Sequence, residues 1–202
     1  MDDLIERDVA VAGRSLPLLV PRDPDALLVE EAFEHEEYLP YWAALWPSAL
    51  ALAEAVGAAS LPVRVLELGC GLGVPALVAA LTGADALATD WSPEAVALLG
   101  RNAARAGAVL DVRRFSWTDD PAGLGAAWPL VIAADVLYER RNGPQLLDAL
   151  ARLVAAGGEA WIADPGRPAT GGFLVQADAD WTLDAVAHRG PESVTVHRLR
   201  RR

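Results

Sequence analysis

The sequence is poor in several things at once. Cysteine occurs once among 202 residues, as Cys70, and a single thiol excludes a disulfide framework or a thiolate zinc cluster. Histidine occurs three times, and none of the three has a neighbour suited to metal binding or acid–base duty, so no metal is expected. No apolar run reaches the length of a membrane span, because the longest are broken by Glu, Pro or Asp. Basic residues are outnumbered, 17 Lys plus Arg against 28 Asp plus Glu, for a formal charge of −11. Nucleic-acid binders carry a basic footprint, and the one basic cluster, residues 198–202, reads as a frayed, solubilising tail. The N-terminal MDDLIERD is acidic where a targeting peptide would be basic. The expectation is a cytoplasmic monomer with neither nucleic acid nor membrane as partner. An acidic surface favours a neutral or cationic small substrate, or a basic side chain on another protein.

What is present is organised around residues 63–73, VRVLELGCGLG. An apolar run of strand character breaks into Gly69, Gly71 and Gly73, and the helix-like VPALVAAL follows at once. Glycines so spaced turn the chain sharply at a strand's end and leave no side chain between backbone and ligand. The helix start behind them offers unpaired N–H groups. Glu67 precedes the first glycine, and Asp90 ends the next hydrophobic run, ALATD. Two carboxylates therefore fall at the ends of adjacent parallel strands, where they can accept from the amine and hydroxyls of a nucleoside-like ligand. The G-x-G-x-G spacing departs from the G-x-G-x-x-G of a pyrophosphate site.

At 53% hydrophobic and 22% charged, the chain suits one domain over residues 1–202. Residues 4–20 predict a small hairpin outside the main fold, and residues 27–38, with His35, an acid-faced helix. Residues 1–45 together are expected to cover the active-site side. Tyr41, Trp42 and Trp46 follow in PYWAALWPS; they either plug the open end of the sheet or roof a pocket. Ser48 or Pro47 is expected to start the next helix, with Ser48 as its cap. Strands at 63–68, 86–89, 109–113, 129–134 and 159–163 alternate with helices at 73–81, 93–106 and 144–155, as a parallel sheet with crossovers requires. Ser92 and Pro93 start the second of these helices and Gly107 stops it; Gly157 and Gly158 stop the third. A short helix near 172–176 precedes an antiparallel hairpin, 181–187 and 193–199, turned at Arg189, Gly190 and Pro191.

The series ELGCGLG, TDWSP, FSW and AADVLY resembles the motifs of class I S-adenosylmethionine-dependent methyltransferases. With PYWAALWPS it more narrowly resembles the seven-β-strand protein-lysine methyltransferase and nicotinamide N-methylase-like group, from about residue 21 to the C-terminus. The resemblance implies a Rossmann-like α/β fold: a doubly wound, mostly parallel seven-stranded sheet with the C-terminal hairpin on one edge. It implies that Glu67, Gly69, Gly71 and Gly73 lie beneath the methionine part of S-adenosylmethionine. Asp90 would take the ribose hydroxyls, Trp91 would pack beside the adenine, and Ser116 with Trp117 would follow its other edge. Trp46 would close over the methionine end, and Ala134 and Asp135 would lie near the sulfonium methyl. Asp135 and Tyr138 are the catalytic candidates, the first orienting an amine and helping its proton leave, the second shaping the entrance. A pocket lined by Glu67, Asp90 and Asp135 suits a ligand carrying a sulfonium and an ammonium but no phosphate.

The expected function is N-methylation of a protein lysine, leaving S-adenosylhomocysteine. A small amine acceptor is the alternative, and it would need a deep pocket sealed by the N-terminal 45 residues. A non-catalytic binding protein is disfavoured by the three retained carboxylates. Base methylation is disfavoured by Asp135-Val136-Leu137-Tyr138 standing where an N/D-P-P-Y/F motif would be. Asp164 and Arg167 either line the acceptor side or form a rigid turn with a surface arginine. Cys70 is expected to fill a tight space in the turn, and Asn102 to hydrogen-bond to the neighbouring loop.

Overall fold

The computed structural model describes residues 3–27, 40–125, 127–189 and 193–202. The expected helix over 27–38, with His35, and the turn at 190–192 lie largely or wholly outside the described residues. A hairpin opens the chain, β1 (Leu4–Val11) and β2 (Arg14–Pro21), as a separate two-stranded sheet. The main sheet comprises β3 (Arg64–Leu68), β4 (Asp85–Asp90), β5 (Leu110–Arg114), β6 (Trp128–Ala134), β7 (Val154–Asp164), β8 (Trp181–Arg189) and β9 (Ser193–Arg201). Their order is β5-β4-β3-β6-β7-β9-β8, parallel from β5 to β7, with β9 antiparallel to both β7 and β8. This is the expected α/β sheet with its reversed last strand.

Among the described residues five α-helices cover it: α1 (Pro47–Gly57), α2 (Val74–Leu81), α3 (Pro93–Ala106), α4 (Asn142–Leu153) and α5 (Thr170–Ala177). Along β3 the side chains alternate between two cores. Val65 joins α1, α2 and α3 through Leu52, Leu77 and Leu98. Leu66 and Leu68 join α4 and α5 through Leu146, Leu150 and Phe173. A strand buried on both faces reads as a continuous apolar run, which is why the periodicity announced these strands plainly. The winding reverses between β3 and β6, so the crevice at their C-terminal ends is the switch point where an open α/β sheet binds ligands.

Local signals decide most boundaries. The Ser92 hydroxyl accepts from the Ala95 N–H at 3.2 Å, and Gly107 ends α3 with φ 66°. Three expectations need correction. Trp46, not Ser48, is the N-cap of α1, because Pro47 takes the first helical position; Ser48 is then fully buried and its hydroxyl finds no partner among the described residues. Gly157 and Gly158 do not stop α4, which ends at Leu153. They lie inside β7, near a register shift against β6, and a Cβ on Gly158 would come within 3.0 Å of the Pro129 carbonyl oxygen. Nor is the arginine-rich terminus frayed. β9 runs to Arg201, with Arg198 over the Trp161 ring at 4.1 Å and Arg200 paired with Glu159.

Candidate functional site

A cavity of about 460 Å3 opens over the C-terminal ends of β3, β4, β5 and β6, within the ordinary range for a ligand pocket. All twelve residues singled out from the sequence border it: Trp46, Glu67, Gly69, Gly71, Gly73, Asp90, Trp91, Ser116, Trp117, Ala134, Asp135 and Tyr138. Topology explains the convergence, since each group follows the end of one parallel strand and adjacent strands end side by side. Trp46 comes instead from the segment before α1, where Trp46 Nε1–H donates to the Tyr41 carbonyl at 2.8 Å and fixes the indole. No described residue of the hairpin borders the cavity. The hairpin packs against α1 and α3, and of the described residues before Trp46 it is Tyr41, Trp42, Ala44 and Leu45 that reach the cavity.

The floor is the glycine turn. Gly71 has φ 51°, and a Cβ there would lie 3.1 Å from the Trp42 carbonyl oxygen. Gly73 has φ 70°, and its Cβ would fall 2.4 Å from the Leu99 methyls. Both need glycine, for conformation and for room. The turn is pinned by the two carboxylates. Glu67 Oε2 accepts from the Ala76 N–H in the first turn of α2 at 2.9 Å. Asp90 Oδ2 accepts from the Gly71 N–H at 2.9 Å and Oδ1 from the Ser92 N–H at 3.0 Å.

Burial sets the charge state here. Loss of water pushes the Glu67 carboxyl up to about 8, with the Asp90 charge adding to the rise and the Ala76 hydrogen bond opposing it. Burial also raises Asp90, against the pull of its backbone hydrogen bonds from Ser92 and Gly71. The Cys70 thiol is driven up by burial and by both acids. A thiol so placed is no nucleophile at neutral pH and fills space in the turn.

On the β5 side, the Ser116 N–H donates to Asp119 Oδ2 at 2.8 Å, closing a turn whose carbonyls at Trp117 and Asp119 both accept from Arg152 of α4. Asp119 borders the cavity and was not among the sequence candidates. A signal existed: it follows β5 in the run TDD much as Asp90 closes β4.

The β6 end differs. Asp135 is 7% exposed and holds φ 56°, unusual for a residue with a Cβ. Its N–H donates to the Ala163 carbonyl at 2.8 Å, and its Oδ1 accepts from Arg167 Nε at 2.8 Å. Asn142 at the start of α4 donates to the Val136 carbonyl at 2.8 Å and steadies the loop. Tyr138 and Tyr41 meet edge to face, centroids 5.1 Å apart, each 40% exposed, and form a rim. Burial, chiefly, pushes the Tyr138 phenol up to about 12, so this phenol keeps its proton at working pH. Tyr41 was legible only as part of the aromatic segment. Asp164 takes the turn role: its Oδ1 accepts from the Gly166 and Arg167 N–H groups and the Thr170 hydroxyl. Arg167 is not a bare surface arginine, since it pairs with Asp135.

Known proteins resemble this chain in sequence and in fold. Residues 35–168 match the model of the family described as lysine methyltransferase. The ribosomal protein L11 methyltransferase of Stenotrophomonas maltophilia is 33% identical over 146 residues, 68% of this chain and 43% of that protein. The electron transfer flavoprotein beta subunit lysine methyltransferase of Xenopus laevis is 33% identical over 134 residues, 63% of this chain and 53% of its own length. The matched stretch is thus about half the length of these relatives. Among solved structures, the ribosomal protein L11 methylase of Lactobacillus delbrueckii subsp. bulgaricus superposes with a TM-score of 0.57 at 23% identity, covering 77% of each chain. The fold, the motif series and the family match agree, and the chain belongs to the lysine methyltransferase family of seven-β-strand, S-adenosylmethionine-dependent methyltransferases.

Proposed function

We propose that this protein transfers a methyl group from S-adenosylmethionine to the side-chain nitrogen of a protein lysine. The observation that carries the reading is one cavity with buried carboxylates along its floor and an exposed aromatic rim at its β6 end. The residues present fit the cofactor. The donor set is acidic, which suits a cation, and the glycine turn borders the cavity at Gly69, Gly71 and Gly73 with no side chain of its own between backbone and ligand. Glu67 and the turn at Gly69, Gly71 and Gly73 hold the methionine part, and Asp90 the ribose hydroxyls. Trp91, Ser116 and Trp117 flank the adenine, while Trp46 closes over the methionine end beside Ala134. When bound, S-adenosylmethionine supplies a methyl on a positively charged sulfur, displaced in line by a nitrogen lone pair.

The protein's task is then to seat the amine, align it and keep water out. Asp135 orients the amine at the β6 end and helps its proton leave. Tyr138 and Tyr41 form the lip through which a long, thin side chain reaches in. The described hairpin packs on the helices and away from the cavity, which favours a protein acceptor over a metabolite that needs a sealed chamber. The same reading takes the protein as a cytoplasmic monomer acting on a basic partner.

The test is binding first and transfer second. Calorimetry should show S-adenosylhomocysteine bound by the wild type and weakened at least tenfold by Asp90→Ala; unchanged affinity removes the cofactor assignment. Incubation with labelled S-adenosylmethionine and a lysine-rich protein such as a histone should place label on lysine, and Asp135→Asn should lower that turnover more than cofactor affinity. All 17 basic residues of this chain are arginine, so methyl-lysine in such a mixture comes from the acceptor alone. Label found only on small amines selects the metabolite reading.

A further inference from the structure

Arg167 reaches the acceptor end without bordering the cavity. Its backbone is fixed by Asp164, whose Oδ1 accepts from the N–H groups of Gly166 at 2.7 Å and Arg167 at 2.8 Å and from the Thr170 hydroxyl at 2.6 Å. From that turn the side chain extends to Asp135 Oδ1, and its guanidinium carbon lies 5.7 Å from the centre of the Trp46 ring. The side chains of Arg167 and Asp135 are 34% and 4% exposed, so the pair straddles the wall between solvent and cavity. Among the described residues no donor reaches the other oxygen, Oδ2. The arrangement thus joins the acceptor-end carboxylate to the aromatic wall and leaves one oxygen of the carboxylate unengaged.

We propose that Arg167 is a positioning residue for the transfer: it holds Oδ1 of Asp135 from outside the cavity, leaves Oδ2 for the acceptor amine, and by its fixed positive charge favours that amine unprotonated. The inference rests on the reading of Asp135 as the acceptor-side acid. An ammonium has no lone pair to give, and a carboxylate alone would hold the amine as ammonium. A guanidinium on the same carboxylate offsets that attraction while Oδ2 still accepts an N–H. In the transfer the nitrogen lone pair forms the N–C bond as the C–S bond breaks, its electrons passing to a neutral thioether. The positive charge moves to nitrogen, which then releases a proton to water. Arginine suits the post better than lysine, since it stays charged at any working pH and has no primary amine to compete for the methyl. Among the described residues, the other charged or titratable groups facing this end are Asp164, the tyrosines 41 and 138, the Glu139–Arg141 pair, and Glu67 and Asp90 on the floor. All of them stay in place in the variants below.

Sinefungin reads this charge without turnover, because in it a carbon bearing a primary amine replaces the methylated sulfur. Its affinity relative to S-adenosylhomocysteine is to be measured by calorimetry on the full chain, in wild type, Arg167→Met, Arg167→Gln and Arg167→Lys. At neutral pH the neutral variants should favour sinefungin about tenfold more than wild type does, from loss of one nearby cation. Arg167→Lys should stay near wild type, and the difference should close at alkaline pH, where the amine is uncharged. An unchanged or reversed ratio in the neutral variants, including equal weakening of both ligands, overturns the proposal; so does a lysine variant that behaves like methionine. Two neutral variants keep the test open if one fails to fold. A wild-type protein that binds neither ligand removes the cofactor assignment itself, and this inference with it.

Discussion

Glu67 is the residue at which structure and solution behaviour are most tightly linked. Its carboxyl rises from an unfolded value of 4.5 to about 8 in the folded chain, mainly because burial strips water from the charge. Between those values the folded protein keeps a proton that the unfolded chain releases, so stability falls as pH rises through the window. The ligand-free protein should therefore be most stable below the window and lose denaturant midpoint steadily from pH 5 to about 8. Asp90, raised in the same direction by burial, adds to the fall. Glu67→Gln keeps an acceptor for the Ala76 N–H and has no proton to lose, so its midpoint should be flatter over the same range. Parallel slopes in the two proteins would show that Glu67 is not the source. A bound cation reverses the preference by stabilising the ionised carboxylate, so S-adenosylmethionine should flatten the wild-type slope as well.

At the scale of elements, the hairpin and α3 depend on one buried side chain. Asn102 is fully buried; its Oδ1 accepts from the Leu19 N–H at 2.8 Å, and its Nδ2 donates to the Leu19 carbonyl at 3.0 Å. One amide thus satisfies both backbone groups of a β2 residue that has no strand partner on that side. Asn102→Ala should cost about 2–4 kcal/mol by leaving two polar groups without partners, measured by denaturation, with little change in S-adenosylhomocysteine affinity. An equal loss of affinity would place the hairpin in the site's support. Asn102 also shows what the sequence can disclose. Its helix, with Ser92 before it and Gly107 after it, is legible because the caps act locally. Its bond to Leu19 spans 83 residues and has no local signature. The glycine turn, Asp90 and Asp135 were legible for the same reason as the helix, each being tied to a strand end. Asp119 and the Arg167–Asp135 pair were not linked, because a contact across 32 residues is made by topology and not by spacing. Glycines 157 and 158 misled as a helix stop because they serve β7 instead: Gly157 takes φ 70°, and Gly158 leaves room for the Pro129 carbonyl oxygen of β6.

For the molecule as a whole, charge and partner have to be weighed together. The formal charge is −11, with 28 acids against 17 arginines and no lysine. Pairs such as Arg105–Glu6, Arg200–Glu159 and Arg167–Asp135 absorb much of the positive charge into the fold. The net charge is negative, and the cavity lining, with Glu67, Asp90, Asp119, Asp135 and Glu139 against Arg114 and Arg141, points to a negative field at the proposed acceptor port. Such a field draws a basic protein in and orients it before contact, and its reach is set by salt. Between about 0.01 M and 0.1 M salt the screening length falls from about 30 Å to about 10 Å. Methylation of a lysine-rich protein should therefore lose about an order of magnitude in kcat/KM over that range, mostly through KM. S-adenosylhomocysteine, a zwitterion with no net charge for the field to steer, should bind nearly as well at both ends. A small amine carries one charge and meets the field at the cavity alone, so its turnover should be far less sensitive. The salt slope thereby separates the two acceptor classes without knowledge of the natural substrate: a steep slope for the basic protein with a flat one for the cofactor supports protein methylation, and equally shallow slopes oppose it.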